Sequence, residues 1–321
     1  MNHGHIPGIE KPMPRLVQGT TMISSTNEVW EHALLDAVYE QGARAFDTAH
    51  GYANGGNERS IGAWVRARGL RDDVVIIGKG AHHGPNGHRV TPEDITSDLH
   101  ESLERFGFDM IDLYLLHRDD PAYPVGPIVE ILNQHQRAGK ISAFGGSNWS
   151  VARLTEANAY AAEHGLTPFV ASSPNFSLAE QIEEPWENCV TISGPAYKAD
   201  RQWYVQHRFP LFTWSSLAGG FLTGKYRRDN LDSFSSDNYA DGLVKRCYAS
   251  EANFQRLDRL DQMAQEKGYT IPQVALAYVL NQPLDIYALT APQTADEYRV
   301  NAAAAALTLS PDELAWLDLE G

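Results

Sequence analysis

The feature that most narrows the fold is a repeated alternation of short strand-like runs with longer helix-like segments. Residues 16–20 form a short apolar start. Residues 28–41 carry Val29, Trp30, Ala33, Leu34, Ala37 and Val38 at helical spacing, and Gly42 closes the segment. Residues 43–47 read as a strand, 58–68 as a helix, and the β-branched run 74–77 as a strand buried on both faces. Thr91 and Pro92 open the next helix as its cap and first residue, and the helix runs to about Phe106. Strand 110–116, helix 126–138, strand 141–145, helix 151–164 and strands 169–172 and 211–214 follow. Helices 251–267 and 271–281, strand 286–289, helix 295–306 and a last helix 311–319 capped by Ser310 complete the chain. About eight strands, mostly separated by helices, imply a parallel α/β sheet. Such a sheet is either doubly wound and open or closed as a barrel. No G-x-G-x-x-G follows an early strand, which weighs against the open dinucleotide-binding form. Stretches 173–209 and 224–250 are the least regular and read as long loops of functional character. No Pro/Gly/Ser-rich linker divides residues 1–321, so a single domain is expected.

Composition excludes several function classes. The chain has 321 residues, 43% hydrophobic and 21% charged, which is inconsistent with disorder. Its net charge of −15 repels phosphate backbones and anionic lipid, so neither nucleic acid nor a membrane surface is an expected partner. No apolar run approaches the roughly 20 residues of a membrane span, and the first residues lack the apolar core of a secretory signal. Cys189 and Cys247 are too few for a disulfide framework. A cytoplasmic protein acting on a small molecule is the expectation. Oligomeric state is left open.

In a parallel barrel, reactive groups stand at the carboxyl ends of the strands. Asp47 ends one strand, Tyr52 lies in the loop beyond it, Lys79 follows the next, and His117 follows strand 110–116. A carboxylate, a phenol, an ammonium and an imidazole suit acid/base work on a carbonyl. The ammonium favours the phenolate and is expected to lower the phenol's pKa. The carboxylate holds the ammonium, and a neutral imidazole donates to the substrate oxygen while hydride moves at carbon.

These residues also carry a resemblance. Phe46-Asp47-Thr48-Ala49 with Tyr52, Asn57-Glu58 and Gly62, then Ile111–His117, Gly139-Lys140-Ile141 with Gly145-Gly146-Ser147-Asn148, and the segment from Leu217 to Tyr226 resemble the signatures of aldo-keto reductases. The likeness runs from Leu16 to about Leu319. It extends to the sugar- and inositol-oxidoreductase-like and channel-beta-subunit-like branches. It implies a (β/α)8 TIM barrel with extra helices and long loops at the carboxyl face, and NAD(P)(H) bound across that face. It also implies Tyr52 as proton donor, Lys79 as its modulator, Asp47 as the lysine's partner and His117 as the orienting group.

By the same resemblance Ser147 and Asn148 hold the carboxamide, Trp214 stacks on the nicotinamide in place of a usual tyrosine, and Ser215, Leu217 and Gly219 lie at the pyrophosphate. Gln293, Thr294, Glu297 and Asn301 fall in the adenosine segment. Ser173 stands where a glutamine is usual, and Phe176 where a tyrosine is usual. The family norm is NADP, but residues 291–297 offer Gln293 and Glu297 where phosphate-selective members offer cations. The residues therefore favour NAD or a dual preference. His82, Trp149 and Arg118 are expected at the substrate, with His83, Asp119, Trp186, Gln202 and Trp203 also at the mouth. Such a lining suits a sugar, a polyol or a small aldehyde.

Competing motifs are weaker. Residues 219–225 spell G-x-x-x-x-G-K, but Tyr226 replaces the magnesium-holding hydroxyl. In the cluster of His82, His83 and His88, the two adjacent histidines lack a third ligand at fixed spacing, so no metal is expected. The expected activity is nicotinamide-dependent hydride transfer at a carbonyl or alcohol. The alternatives are a cofactor-binding regulatory subunit with little turnover, or a redox-neutral sugar-modifying enzyme.

Overall fold

The computed structural model describes residues 3–85 and 87–320; Met1, Asn2, Asn86 and Gly321 fall outside them. A two-stranded antiparallel hairpin, β1 (His3–Ile6) and β2 (Ile9–Pro14), precedes the barrel. The barrel strands are β3 (Leu16–Gly19), β4 (Ala45–Asp47), β5 (Val75–Gly80), β6 (Ile111–Leu116), β7 (Ile141–Ser147), β8 (Ser172–Ser173), β9 (Leu211–Thr213) and β10 (Ile286–Thr290). They close in the order β10-β3-β4-β5-β6-β7-β8-β9, which makes the chain a parallel (β/α)8 barrel. The helices are α1 (Glu28–Glu40), α2 (Gly56–Arg68), α3 (Pro92–Phe106), α4 (Val125–Arg137), α5 (Val151–Glu163), α6 (Lys198–His207), α7 (Tyr239–Tyr248), α8 (Glu251–Lys267), α9 (Ile271–Leu280), α10 (Ala295–Ala303) and α11 (Pro311–Leu317). Among the described residues, no helix is long and apolar enough to cross a membrane.

By its internal contacts the chain forms two compact units. The first comprises His3–Ser173 and Ala291–Tyr298 and contains β1–β8. Every residue of β5 and β6 is buried, as continuous apolar runs in a parallel sheet require. α3 shows how local chemistry sets boundaries. Thr91 Oγ1 accepts the Asp94 amide at 3.2 Å, Pro92 supplies the first turn, and Gly107 at φ 67° ends it. α1 buries Leu34, Leu35 and Val38, whereas Val29 and Trp30 of the helical stripe are exposed. The hairpin packs at the amino ends of the strands. There Lys11 Nζ donates to Asp112 Oδ1 at 2.8 Å, Arg71 Nη1 to Asp112 Oδ2 at 2.9 Å, and the Ile76 amide to the same oxygen at 2.8 Å.

The second unit comprises, among the described residues, 174–290 and 299–320. β9 and β10 pair in register from Leu211 beside Ile286 to Thr213 beside Ala288. Two readings of the sequence change on this evidence. The stretch 173–209 contains α6, and the stretch 224–250 contains α7, capped by Asn238 and carrying Asp241 in its first turn and Lys245 and Arg246 in its last. Polar composition hid both helices, although the charge order of α7 matches the helix dipole. The residues before β3, to which no element was assigned from the sequence, form β1 and β2; proline is tolerated in an edge strand.

Candidate active site

The barrel register brings the reactive set together inside the first unit. Asp47 ends β4 beside Ile77, and Lys79 lies two residues further along β5, on the same face. Lys79 is therefore a strand residue, not one beyond the strand as residues 74–77 alone indicate. Gly78 and Gly80 disguise the extension. Gly80 is required there, since a Cβ would lie 1.9 Å from Tyr114 Oη. His117 follows β6 and donates its amide to Gly80 O at 2.7 Å. Tyr52 begins a single 3-10 turn after β4, in which Ala53 and Asn54 take positive φ.

Lys79 Nζ donates to Asp47 Oδ1 at 2.6 Å and to Thr48 O at 2.8 Å, and it lies 5.1 Å from the centre of the Tyr52 ring. Tyr52 meets His117 edge-on with ring centres 5.8 Å apart, and His82 meets His117 edge-on at 4.8 Å. Burial alone pulls Lys79 down, but Asp47 and Tyr52 more than offset it and hold its pKa above the usual lysine value. Burial pushes His117 well below the ordinary histidine range, and Lys79 and Arg118 add to the shift, so the imidazole is neutral. Burial also pushes Tyr52 up, and Lys79, acting the other way, does not prevail. That reverses the lowered phenol expected from the sequence, because desolvation of a phenolate outweighs one neighbouring cation.

The substrate-side residues divide. His82 is half-buried, its Nδ1 2.9 Å from His83 O, and burial lowers its pKa. Arg118 is buried and donates to His117 O at 2.9 Å. Trp149 is wholly buried, its indole donating to Arg118 O at 3.2 Å, and it offers no face to a substrate in this conformation. Asp119 is held by the Arg153 fork at 2.8 and 3.1 Å and is buried rather than at a mouth. Gln202 and Trp203 lie on α6. Gln202 lines an outer groove with Leu284 and Pro311, and Trp203 stacks on His207 at 4.2 Å. The sequence alone did not show that this segment is a helix. Thr48, whose carbonyl holds Lys79, was not singled out in the sequence; its place in the Asp47-Thr48-Ala49 run was the available signal.

Residues named for a cofactor also have defined places. Ser147 Oγ donates to Ser173 O at 3.1 Å, and Asn148, at φ 57°, donates to Ser147 Oγ at 3.2 Å. Ser173 Oγ is buried without a partner among the described residues. In the second unit, Trp214 Nε1 is likewise buried without a partner, and Trp186 stands 5.9 Å from the Trp214 ring. Ser215, Ala218, Gly219 and Gly220 all take positive φ, a backbone form that presents amides to anions. At the start of α10, Glu297 accepts the Gln293 amide at 2.7 Å and donates its own amide to Thr294 Oγ1 at 3.1 Å. Asn301 is buried on the same helix. In the first unit the unpartnered Ser173 hydroxyl suits an amide, and in the second the turn through residues 215–220 suits a pyrophosphate.

The Aldo/keto reductase family model matches residues 15–319. A rice (Oryza sativa subsp. japonica) protein described as a probable voltage-gated potassium channel subunit beta is 30% identical over 260 residues, covering 78% of this chain and 74% of that one. Aldo-keto reductase YhdN of Bacillus subtilis is 28% identical over 275 residues, covering 83% of this chain and 75% of its own length. The crystal structure of the thermostable aldo-keto reductase Tm1743 with the inhibitor epalrestat superposes with a TM-score of 0.74 at 21% identity, covering 100% of both chains. With the barrel and a site suited to carbonyl acid/base chemistry, the match defines the class: a nicotinamide-dependent barrel oxidoreductase. The chain belongs to the aldo/keto reductase family and is an NAD(P)-dependent oxidoreductase acting on small molecules.

Proposed function

We propose that the chain interconverts a carbonyl and an alcohol on a small polar substrate, with Tyr52 as the acid and base. The observation that carries the reading is Lys79, fixed by Asp47 at 2.6 Å and set against the Tyr52 ring, with neutral His117 edge-on to the same phenol. The nicotinamide, when bound, supplies or accepts the hydride. Tyr52 gives its proton to the substrate oxygen during reduction, and the Lys79 ammonium stabilises the phenolate that remains. Asp47 keeps that ammonium charged and in place. His117 has a ring N–H to donate to the same oxygen. His82, beside His117, suits an oxygen-rich substrate such as a sugar, polyol or small aldehyde. Of the aromatic residues expected at the substrate, Trp186 is 44% exposed. A panel of sugars and aldehydes with each cofactor tests the substrate class. Turnover on none of them would defeat it.

Ser147, Asn148 and Ser173 would hold the carboxamide, Trp214 would stack on the ring, and the turn through Ser215, Leu217 and Gly219 would receive the pyrophosphate. Trp214→Ala is expected to weaken cofactor affinity by about 1–3 kcal/mol, the scale of stacking a flat heterocycle on an aromatic ring. Titration of intrinsic fluorescence with NADH and NADPH reads this, and unchanged affinity removes Trp214 from the site.

The adenosine segment favours NAD. The Glu297 carboxylate already occupies the anion-attracting amino end of α10, where it caps the Gln293 amide. A 2′-phosphate there meets a like charge, whereas a ribose hydroxyl can donate to Glu297. NAD(H) is therefore expected to bind no worse than NADP(H). Glu297→Arg should shift preference toward the phosphorylated form by about 1.5–3 kcal/mol. The ratio of the two dissociation constants at fixed ionic strength decides it; a hundredfold wild-type preference for NADPH defeats the assignment. A second reading, a regulatory subunit, draws support from the channel-subunit relatives. Tight cofactor binding with negligible steady-state turnover on the same panel would favour it.

A further inference from the structure

We propose that one face of α3, formed by Asp98, Glu101 and Arg105, is the positioning device of this active site, fixing both the loop that carries Tyr52 and the loop that carries His82. The inference rests on the reading of Tyr52 as the acid. Residues 98, 101 and 105 share one helical face by their spacing. Arg105 Nη1 donates to His50 O at 3.0 Å, two residues before Tyr52, and to Glu58 Oε2 of α2 at 3.1 Å. Arg105 Nη2 and His50 Nε2 both meet Glu101 Oε2, at 2.7 and 3.0 Å. At the other end of the same face, Asp98 Oδ2 accepts the amide of Ala81 at 2.8 Å, one residue before His82. Asp98 Oδ1 is paired with Arg89, which closes the histidine-bearing loop, and lies 3.9 Å from His50 Nε2. One run of polar contacts through His50 thus joins the two loops.

Two independent features show that both loops are pressed onto these side chains. A Cβ at Gly55, in the Tyr52 turn, would lie 2.6 Å from Arg105 Nε. A Cβ at Gly80, where the second loop begins, would lie 3.0 Å from the Asp98 Cβ. Each loop reaches the helix at a glycine: at Gly55 a side chain would strike the Arg105 guanidinium, and at Gly80 it would meet Asp98 as well as Tyr114 Oη. Ala81 adopts φ 58°, a conformation held against its own preference at the point where Asp98 takes its amide. Glu101 is exposed, but the other two carboxylates of the network are not. Asp98 is 1% exposed and Glu58 0%, and buried carboxylates persist only when paired. Such pairs are a poor source of stability but a strict constraint on direction, and misplacing a reacting group by about 1 Å costs on the order of 10²-fold in rate. Arg105 and Asp98 touch neither substrate nor reacting atoms, so they act through the loops.

The test compares Arg105→Met, Arg105→Lys and Asp98→Asn with Leu103→Ala, which removes apolar packing from the same helix without touching either loop. Reduction of 4-nitrobenzaldehyde with NADH and NADPH, cofactor affinity, and amide hydrogen exchange of residues 48–55 and 81–85 are read on each. Arg105→Met is expected to lower kcat about 10–100-fold, to leave cofactor affinity within about twofold, and to speed exchange in 48–55. Asp98→Asn is expected to speed exchange in 81–85. Arg105→Lys, which keeps the charge, should recover part of the lost kcat, and it carries the same readings if Arg105→Met does not fold. Leu103→Ala should spare kcat. Unchanged exchange in both loops, or an equal loss of kcat in Leu103→Ala, overturns the proposal. Tyr52→Phe on the same aldehyde separates the two claims: if it stays active, the reading of the acid fails, and the exchange data alone decide the role of α3.

Discussion

Tyr52→Phe is expected to abolish carbonyl reduction while leaving cofactor binding nearly intact. Removing a general acid costs roughly 10²–10⁴-fold in rate, and phenylalanine keeps the ring that packs edge-on to His117 and lies over Lys79. Single-turnover reduction of an aldehyde, with the cofactor dissociation constant measured separately, checks both halves. A loss under fivefold removes Tyr52 from the role. The pH profile gives an independent reading. Burial holds the phenol above its ordinary value, so the proton-bearing form persists across the neutral range. Reduction should therefore stay level through neutral pH and fall only beyond the usual tyrosine pKa of about 10. His117, lowered by burial, is already neutral through this range and should add no step near its ordinary value of about 6.5. An alkaline fall centred near pH 8 would mean that Lys79 dominates the phenol after all.

The second large effect concerns stability. Asp112→Ala is expected to destabilise the fold by about 3 kcal/mol, the lower end of the range for removing one partner of a buried ionic cluster. Asp112 joins three segments distant in sequence: Lys11 of the hairpin, Arg71 beyond α2, and the Ile76 amide of β5. Its removal leaves two cations facing each other and an amide without its acceptor. Lys11 and Arg71 keep 22% and 26% side-chain exposure, so water recovers part of the loss and the upper end is not expected. Asp112→Asn should lose less, because it retains an acceptor for one donor. Urea unfolding of the three proteins measures the difference, and a midpoint for Asp112→Ala equal to wild type would show that the hairpin is held by apolar packing alone.

What could be read before folding was whatever depends on near neighbours. The βα alternation, the Thr91 and Ser310 caps, and the positions of Asp47 and His117 relative to strand ends all follow from local spacing and turn chemistry, and the structure places them as that spacing implies. The extent of β5 did not follow, because two glycines look like a break until Tyr114 is seen against Gly80. Nor did α6 and α7, whose polar composition resembles loop. Tertiary structure decided how each charged group is balanced. The sign of the Tyr52 shift depends on burial competing with one cation, and that burial is not written in the local segment, although the Lys79–Asp47 pairing was expected. The same holds for Trp149, which burial withdraws from the substrate side, and for α3, whose charged face is ordinary in sequence and acquires its meaning only where two loops close on it. Local spacing orders neighbours along the chain, but desolvation and ion pairing are sums over groups that only the folded chain brings within a few ångströms.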